Sequence, residues 1–400
     1  MLLQISQRGR ELSYSPIRKL MPLAEVAKSR GIKVYHLNIG QPDLPTPPLA
    51  LEALKHIDKS ILSYTPSQGI LSLRERLSRY YSQKKMQWDS DDIIITNGAS
   101  EAILFAFMAC LNPGDEIIMV EPTYANYLSF AKIAGIKVCT VVASMDTGFA
   151  LPSIEAFEKL INEHTKAVLI CNPNNPTGYL YSQEEMVQLR DLVKKYGLYL
   201  ISDEVYCDFM YTDQPYFSAC QLDGIEENVI LIDSFSKRYS ECGIRVGMLI
   251  TKNEAVRDTV LKFCQARLCP PLIGQIIAEA SLDTPHSYLQ AVHDEYDERR
   301  RYFIDGLNKI PGVYAPYPMG AFYTMTRLPV DDAEKFCIWC LTHFNYEGQT
   351  LMMAPGCGFY ATEGMGKNEV RLAYVLKKDD LKQSLLLLEK ALEEYNKLQL

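Results

Sequence analysis

Val229-Ile230-Leu231-Ile232-Asp233-Ser234-Phe235-Ser236-Lys237 is an apolar run that breaks into small polar residues and ends on a lysine; Arg245 follows within Gly243-Ile244-Arg245-Val246-Gly247. A short, continuous apolar run closed by turn-forming residues reads as a strand buried on both faces, the kind found in parallel sheets. Moving outward, the pattern repeats at Ile93–Thr96, Glu116–Val120, Lys137–Val142, Ala167–Cys171, Tyr199–Ser202 and Val246–Thr251. Between several of these runs lie helical patterns, such as Glu101–Leu111, Tyr124–Ala134 and Gln183–Tyr196. Strands joined mainly by helical crossovers predict an α/β fold with one wide, mainly parallel, seven-stranded sheet covered on both faces.

Open α/β sheets bind ligands beyond the carboxyl ends of their strands, so the residues that follow each strand carry the chemistry. After Ile93–Thr96 comes Asn97-Gly98-Ala99-Ser100, where small residues at a helix start expose N–H groups backed by the helix dipole. After Ala167–Cys171 comes Asn172-Pro173-Asn174-Asn175-Pro176-Thr177-Gly178, and after Tyr199–Ser202 comes Asp203-Glu204-Val205-Tyr206. Each segment alone has the composition of a turn. Four of them on four strand ends do not follow from turn chemistry. A strand-end Lys can form a Schiff base with an aldehyde once desolvation and nearby cations lower its pKa. An Asp on a neighbouring strand end can keep a pyridine nitrogen protonated, making that ring an electron sink. A Ser, an Arg and a helix N-terminus suit a phosphate dianion. Aldehyde, pyridine and phosphate coincide in pyridoxal 5′-phosphate (PLP).

The order and spacing of these motifs resemble those of the class I/II aminotransferases, fold type I PLP enzymes, and the aspartate aminotransferase-like branch in particular. The resemblance runs from Asn38-Ile39-Gly40-Gln41-Pro42-Asp43 to Val370-Arg371-Leu372-Ala373-Tyr374. It implies that Lys237 is the Schiff-base lysine and proton shuttle, that Asp203 pairs with the ring nitrogen, and that Tyr206 and Asn175 hydrogen-bond the phenolic oxygen. By the same resemblance Ser234, Arg245 and the turn Gly98, Ala99, Ser100 hold the phosphate, and Tyr124 stacks on the ring. Tyr64, in Tyr64-Thr65-Pro66-Ser67-Gln68-Gly69, matches a tyrosine that reaches the phosphate from the neighbouring subunit of a homodimer with shared active sites. Arg371 and the backbone at Gly40, with Asn175 beside them, are the implied substrate-binding groups. The implied reaction is ping-pong transfer of an amino group from an L-amino acid, aspartate-like favoured, to a 2-oxo acid, with 2-oxoglutarate expected. A carbon–sulfur lyase shares the fold and these residues. A regulator on this fold would carry an N-terminal DNA-binding domain, whereas about forty residues precede the sheet region here.

Aspartate as substrate requires a cation for its second carboxylate. In one branch of the family it is an Arg from the neighbouring subunit, ahead of a Pro-containing turn. In Phe263-Cys264-Gln265-Ala266-Arg267-Leu268-Cys269-Pro270-Pro271 that position falls on Cys264. Another branch uses a Lys in the phosphate turn, where this chain has Ser100. Arg267, one helical turn along and supplied in trans, is the expected substitute, and Arg18 in Ser15-Pro16-Ile17-Arg18 is another. An ion pair across the dimer interface is the plainer role for Arg267.

Composition agrees with a globular protein: of 400 residues, 48% are hydrophobic and 22% charged, with a formal net charge of −8. No broad basic face is available for nucleic acid or an anionic membrane. The longest apolar stretch, Ala102–Leu111, is about half the roughly 20 residues that span a bilayer. The start, MLLQISQRGREL, lacks the apolar core of a signal peptide, so a cytoplasmic protein with free thiols is expected. The chain divides into residues 1–45, an N-terminal arm with an amphipathic helix (Ile17–Arg30) and part of a small domain; 46–288, the large PLP-binding domain; and 289–400, the rest of an α+β small domain that begins near a polar helix, Ser287–Lys309. Three further patterns take plain readings. Gly356-Cys357-Gly358-Phe359-Tyr360-Ala361 has dinucleotide-fingerprint spacing but is followed by a loop instead of a helix. Cys337-Ile338-Trp339-Cys340 lies within the amphipathic stretch Asp332–Phe344 as two core thiols, and no metal site is expected. Glu295, Asp297, Glu298 and Arg299–Arg301 suggest a solvated helix face.

Overall fold

The computed structural model describes residues 3–398. Within them run strands β1 (Lys33–His36), β2 (Ile93–Thr96), β3 (Glu116–Glu121), β4 (Lys137–Val142), β5 (Thr165–Cys171), β6 (Tyr199–Asp203), β7 (Val229–Ser234), β8 (Gly247–Ile250), β9 (Tyr323–Arg327), β10 (Gln349–Met352), β11 (Ala354–Pro355) and β12 (Glu369–Ala373). Seven form one sheet in the order β2-β8-β7-β6-β5-β3-β4. Only β8 runs antiparallel to its neighbours. Every residue of β2, β3, β7 and β8 is buried, as expected of strands covered on both faces, whereas β4, at the edge, exposes Lys137 and Val142.

The crossover helices carry their own start and stop signals. Helix Gln183–Tyr196 opens on a capping box between Ser182 and Glu185, closes on Gly197 in the left-handed region (φ 62°), and buries Met186, Leu189, Leu192 and Val193 against the sheet. Helix Ala99–Cys110 is different. It begins directly after β2 at Gly98 (φ 75°), and no side chain caps its N-terminus.

Two small sheets lie outside the large one. β1 pairs in parallel with β10, and β12 sits between β11 and β9, so residues from both ends of the chain share one region. Several expectations shift here. The helix expected over Ile17–Arg30 spans only Met21–Ser29, because Pro22 fits a first helical turn and the preceding residues form a separate turn. The polar helix is His286–Leu307, and its charge run is solvated only in part: Glu298 and Arg301 are exposed, but two of its arginines are not. Arg299 and Arg300 are buried; Arg299 pairs with Asp43 (2.7 Å) and Glu295 (2.7 Å), and Arg300 with Asp297 (2.6 Å). Alternating signs at i,i+3 and i,i+4 neutralise the guanidinium groups and let the helix pack inward.

The stretch with dinucleotide-fingerprint spacing is a single 3₁₀ turn, Gly356–Phe359, and its glycines serve close chain approach. A Cβ on Gly358 would lie 2.3 Å from Pro16, and one on Gly356 would lie 2.6 Å from the Glu369 carbonyl. Cys337 and Cys340 are buried on helix Ala333–Thr342, and burial pushes both thiols up. Among the described residues no His/Cys/Asp/Glu cluster could hold a metal, and no helix is long and apolar enough to cross a membrane.

Candidate active site

A cavity of about 720 Å³ opens beyond the carboxyl ends of β5, β6 and β7. Asp203, the last residue of β6, lies at its floor, where Tyr127 donates to one carboxylate oxygen (2.5 Å) and the Val205 N–H to the other (3.2 Å). Burial is the largest influence on Asp203 and raises it to about 6, although both donors and Lys237 pull the other way. A cationic partner above the carboxylate would favour its ionised form.

Lys237 sits on the short helix Phe235–Arg238 that β7 feeds directly. Its amine donates to the Gly40 carbonyl (2.7 Å), and Cys242 Sγ lies 3.9 Å away. Ser234 Oγ accepts from the Ser236 N–H (3.0 Å) and donates to Ser236 Oγ (2.8 Å), so β7 ends in two hydroxyls beside the lysine. Ala99 and Ser100 line the same cavity at the uncapped helix start. Arg245, held at φ 55°, donates to the Asn97 carbonyl (3.3 Å), and Gly98 holds a backbone conformation (φ 75°) that side chains rarely adopt, in which an added Cβ would lie 2.2 Å from the guanidinium.

On the far side, β12 carries Arg371, which is 1% exposed. Its guanidinium donates to Asn175 Oδ1 (3.0 Å) and to the Asn38 carbonyl (2.6 Å), while Nε has no hydrogen-bond partner. No carboxylate among the described residues pairs with it, and burial pushes its pKa down. A buried cation without a counter-ion is costly, so this side of the cavity suits an anion. Tyr206 and Tyr323 share a hydroxyl contact (3.0 Å), and Tyr323 also donates to Gly40 (3.3 Å).

The donor set fits PLP. A buried carboxylate faces the space where a pyridinium would need it, an amine lies alongside, and free helix-start N–H groups stand with Ser234 and Arg245 where a phosphate would sit.

The family model "Aminotransferase class I and II" matches residues 32–383. The chain is a class I/II aminotransferase. An aspartate aminotransferase of Thermotoga maritima is 36% identical over 357 residues, covering 88% of this chain and 91% of the relative. A crystal structure of the Thermotoga maritima aspartate aminotransferase superimposes with a TM-score of 0.88 at 34% identity, covering 97% of this chain and all of that one. A (5-formylfuran-3-yl)methyl phosphate transaminase of Methanocaldococcus jannaschii is 30% identical, covering 95% of this chain and 97% of the relative. The fold is that of the fold type I aminotransferases, and members of this family use PLP.

Most residues singled out in the sequence of this aminotransferase meet at one cavity: Gly40, Ala99, Ser100, Tyr124, Asn175 and Asp203, together with Tyr206, Ser234, Lys237, Arg245 and Arg371. Two do not. Tyr64 is 78% exposed, away from the cavity of its own chain. Within its own chain Arg267 faces Glu101 (3.3 Å) and donates to the Ile95 carbonyl (3.3 Å), while its Nη1 has no hydrogen-bond partner. Arg18 does line the cavity, although the expected helix stops short of it. Tyr127 and Tyr323 escaped the sequence reading. Tyr127 lies one helical turn past Tyr124, a spacing that could have flagged it; nothing near Tyr323 signals that its hydroxyl reaches Gly40.

Proposed function

We propose that this aminotransferase moves the amino group of an L-amino acid, aspartate or glutamate preferred, to a 2-oxo acid such as 2-oxoglutarate in a ping-pong cycle. The observation that carries the reading is that the unpaired, buried Arg371 guanidinium opens on the same cavity as the Lys237 amine and the Asp203 carboxylate. PLP, when bound, supplies an aldehyde carbon and an electron-accepting ring. Arg371, with Asn175 and the Gly40 backbone, binds the α-carboxylate and presents the substrate Cα to Lys237. The Lys237 amine is the base placed to take the Cα proton, and Asp203 would keep the nitrogen of a bound pyridine ring protonated, the chemistry through which the cofactor would stabilise developing negative charge. Tyr206 and Asn175 would hold the ring hydroxyl, Tyr124 would pack against the ring, and Ser234, Arg245 and the Gly98–Ser100 turn would hold the phosphate.

Arg18 supports the dicarboxylate preference. It is a cavity-lining cation to which no carboxylate partner is assigned among the described residues, whereas Arg267 already faces Glu101 but keeps its Nη1 without a hydrogen-bond partner. We assign the distal carboxylate to Arg18 or, in a dimer, to the partner's Arg267. A homodimer with Tyr64 reaching the neighbouring phosphate is part of the proposal. Its support is an apolar surface formed by Leu49, Leu51, Leu54, Ile61, Leu62 and Ile273, all exposed in the single chain. The division at residues 45 and 288 completes the reading, with the arm joined to the C-terminal region through β1 and β10.

A spectral screen tests it. Amino acids are added one at a time to the holoenzyme, and loss of the visible cofactor absorption is recorded. Aspartate and glutamate should bleach it fastest, and 2-oxoglutarate should restore it; equal rates for aspartate, alanine and phenylalanine would remove the dicarboxylate preference.

A further inference from the structure

Glu241 stands in the turn that follows the Lys237 helix. The turn is tied back to that helix twice, by the Glu241 N–H to the Ser236 carbonyl (3.2 Å) and by Cys242 Sγ to the same oxygen (3.1 Å). Its outer side packs on helix Leu272–Ser281, so tightly that a Cβ on Gly274 would lie 2.4 Å from the Ile244 carbonyl. The Glu241 carboxyl is buried in this junction, and no Lys, Arg or His pairs with it among the described residues. Its one partner is Ser281, whose Oγ is 2.6 Å from Glu241 Oε1 and 2.9 Å from the Ile277 carbonyl; Glu241 Oε2 has none.

A serine hydroxyl has one proton to donate. With Glu241 ionised, Ser281 faces two groups that only accept, one contact is left unmade, and a buried charge lacks a counter-ion. With Glu241 protonated, the carboxyl donates to Ser281 and Ser281 donates to Ile277. Both short contacts are then hydrogen bonds, and the remaining carboxyl oxygen is neutral. We propose that Glu241 is a neutral carboxylic acid whose hydrogen bond to Ser281 latches the Lys237 turn onto helix Leu272–Ser281, making it a positioning residue for Lys237. Burial supports this by raising the carboxyl to about 8. The other titratable groups facing it are Tyr239, from its own turn, and Tyr288, from helix His286–Leu307; both are phenols that burial pushes up, so neither supplies a positive charge.

Two measurements on the holoenzyme test the latch. The infrared spectrum near neutral pH should contain a carboxylic-acid carbonyl band that E241Q removes and S281A, which lacks the acceptor, moves in frequency. The kcat/KM for amino transfer from the preferred amino acid should fall in wild type by about tenfold between pH 7 and pH 9 as Glu241 ionises. In E241Q, which donates at every pH, the ratio of the two rates should stay within about twofold, as a conserved donor requires. An alkaline loss that is the same in wild type and E241Q overturns the positioning role, and a spectrum unchanged by both variants overturns the neutral acid. If E241Q does not fold, the band shift in S281A decides alone.

Discussion

At the scale of single residues, the site sets two buried charges against each other across one cavity. Asp203 is anionic only at a cost, since burial lifts its pKa from 3.8 to about 6. A folded-state pKa above the unfolded one means that the contribution to stability is complete below about pH 4 and is lost as pH rises through about 6. Asp203→Asn keeps the acceptor for Tyr127 without the charge. Above pH 6 the cofactor-free D203N protein should therefore be more stable than wild type, by up to about 3 kcal/mol, while its affinity for PLP falls. Thermal melts with and without cofactor check both signs; a D203N protein that is destabilised when cofactor-free at pH 8 would contradict the first. Arg371 makes the opposite case, a buried cation awaiting its counter-ion. Arg371→Lys loses the planar fork and should lower kcat/KM by roughly 10–100-fold for every amino acid and oxo acid alike. A loss restricted to dicarboxylic substrates would place Arg371 at the side-chain end of the cavity.

At the scale of elements, what matters is how strands hand the chain to helices. β2 enters its helix through Gly98 with no capping side chain, so the first N–H groups stay open to the cavity. A capped start would have satisfied those groups and closed the seat. Gly98→Ala would force a Cβ into the left-handed region and against Arg245. The strain expected at such a position, about 1–3 kcal/mol, should weaken PLP binding by about fivefold or more without unfolding the sheet. Equilibrium titration of the cofactor-free variant with PLP measures it, and an unchanged dissociation constant would show that the turn does not bear on the phosphate. At β12 the logic differs, because the strand itself delivers Arg371 and the 3₁₀ turn before it lets Pro16 of the arm lie close.

Over the whole molecule, the proposed sharing of the phosphate site turns on Tyr64, which is exposed in the single chain. Mixing Tyr64→Ala and Lys237→Ala proteins tests whether the site is shared. Each parent should be nearly inactive. Random re-pairing yields heterodimers in half the population, each with one intact site, and so about a quarter of wild-type activity. No recovery on mixing would mean that Tyr64 acts within its own chain or not at all.

The seven strands, their crossover helices and most of the strand-end residues that line the cavity were legible in the sequence because each is a local signal. Apolar runs such as Val229–Ile232 mark buried strands, and the polar residues at their ends fall on one edge of the sheet by its geometry alone. Other features were settled only when distant segments packed. Arg299 and Arg300 look like surface charge until Asp43, more than 250 positions away, closes over Arg299. Tyr323 becomes a site residue only because β9 pairs with β12 and brings its hydroxyl to Gly40. The ion pair of Arg267 with Glu101 joins positions more than 160 apart, which no local pattern announces. Periodicity reports which face of an element is buried. It carries no information about which partner waits there, since that depends on contacts between residues hundreds of positions apart, and those exist only in the folded chain.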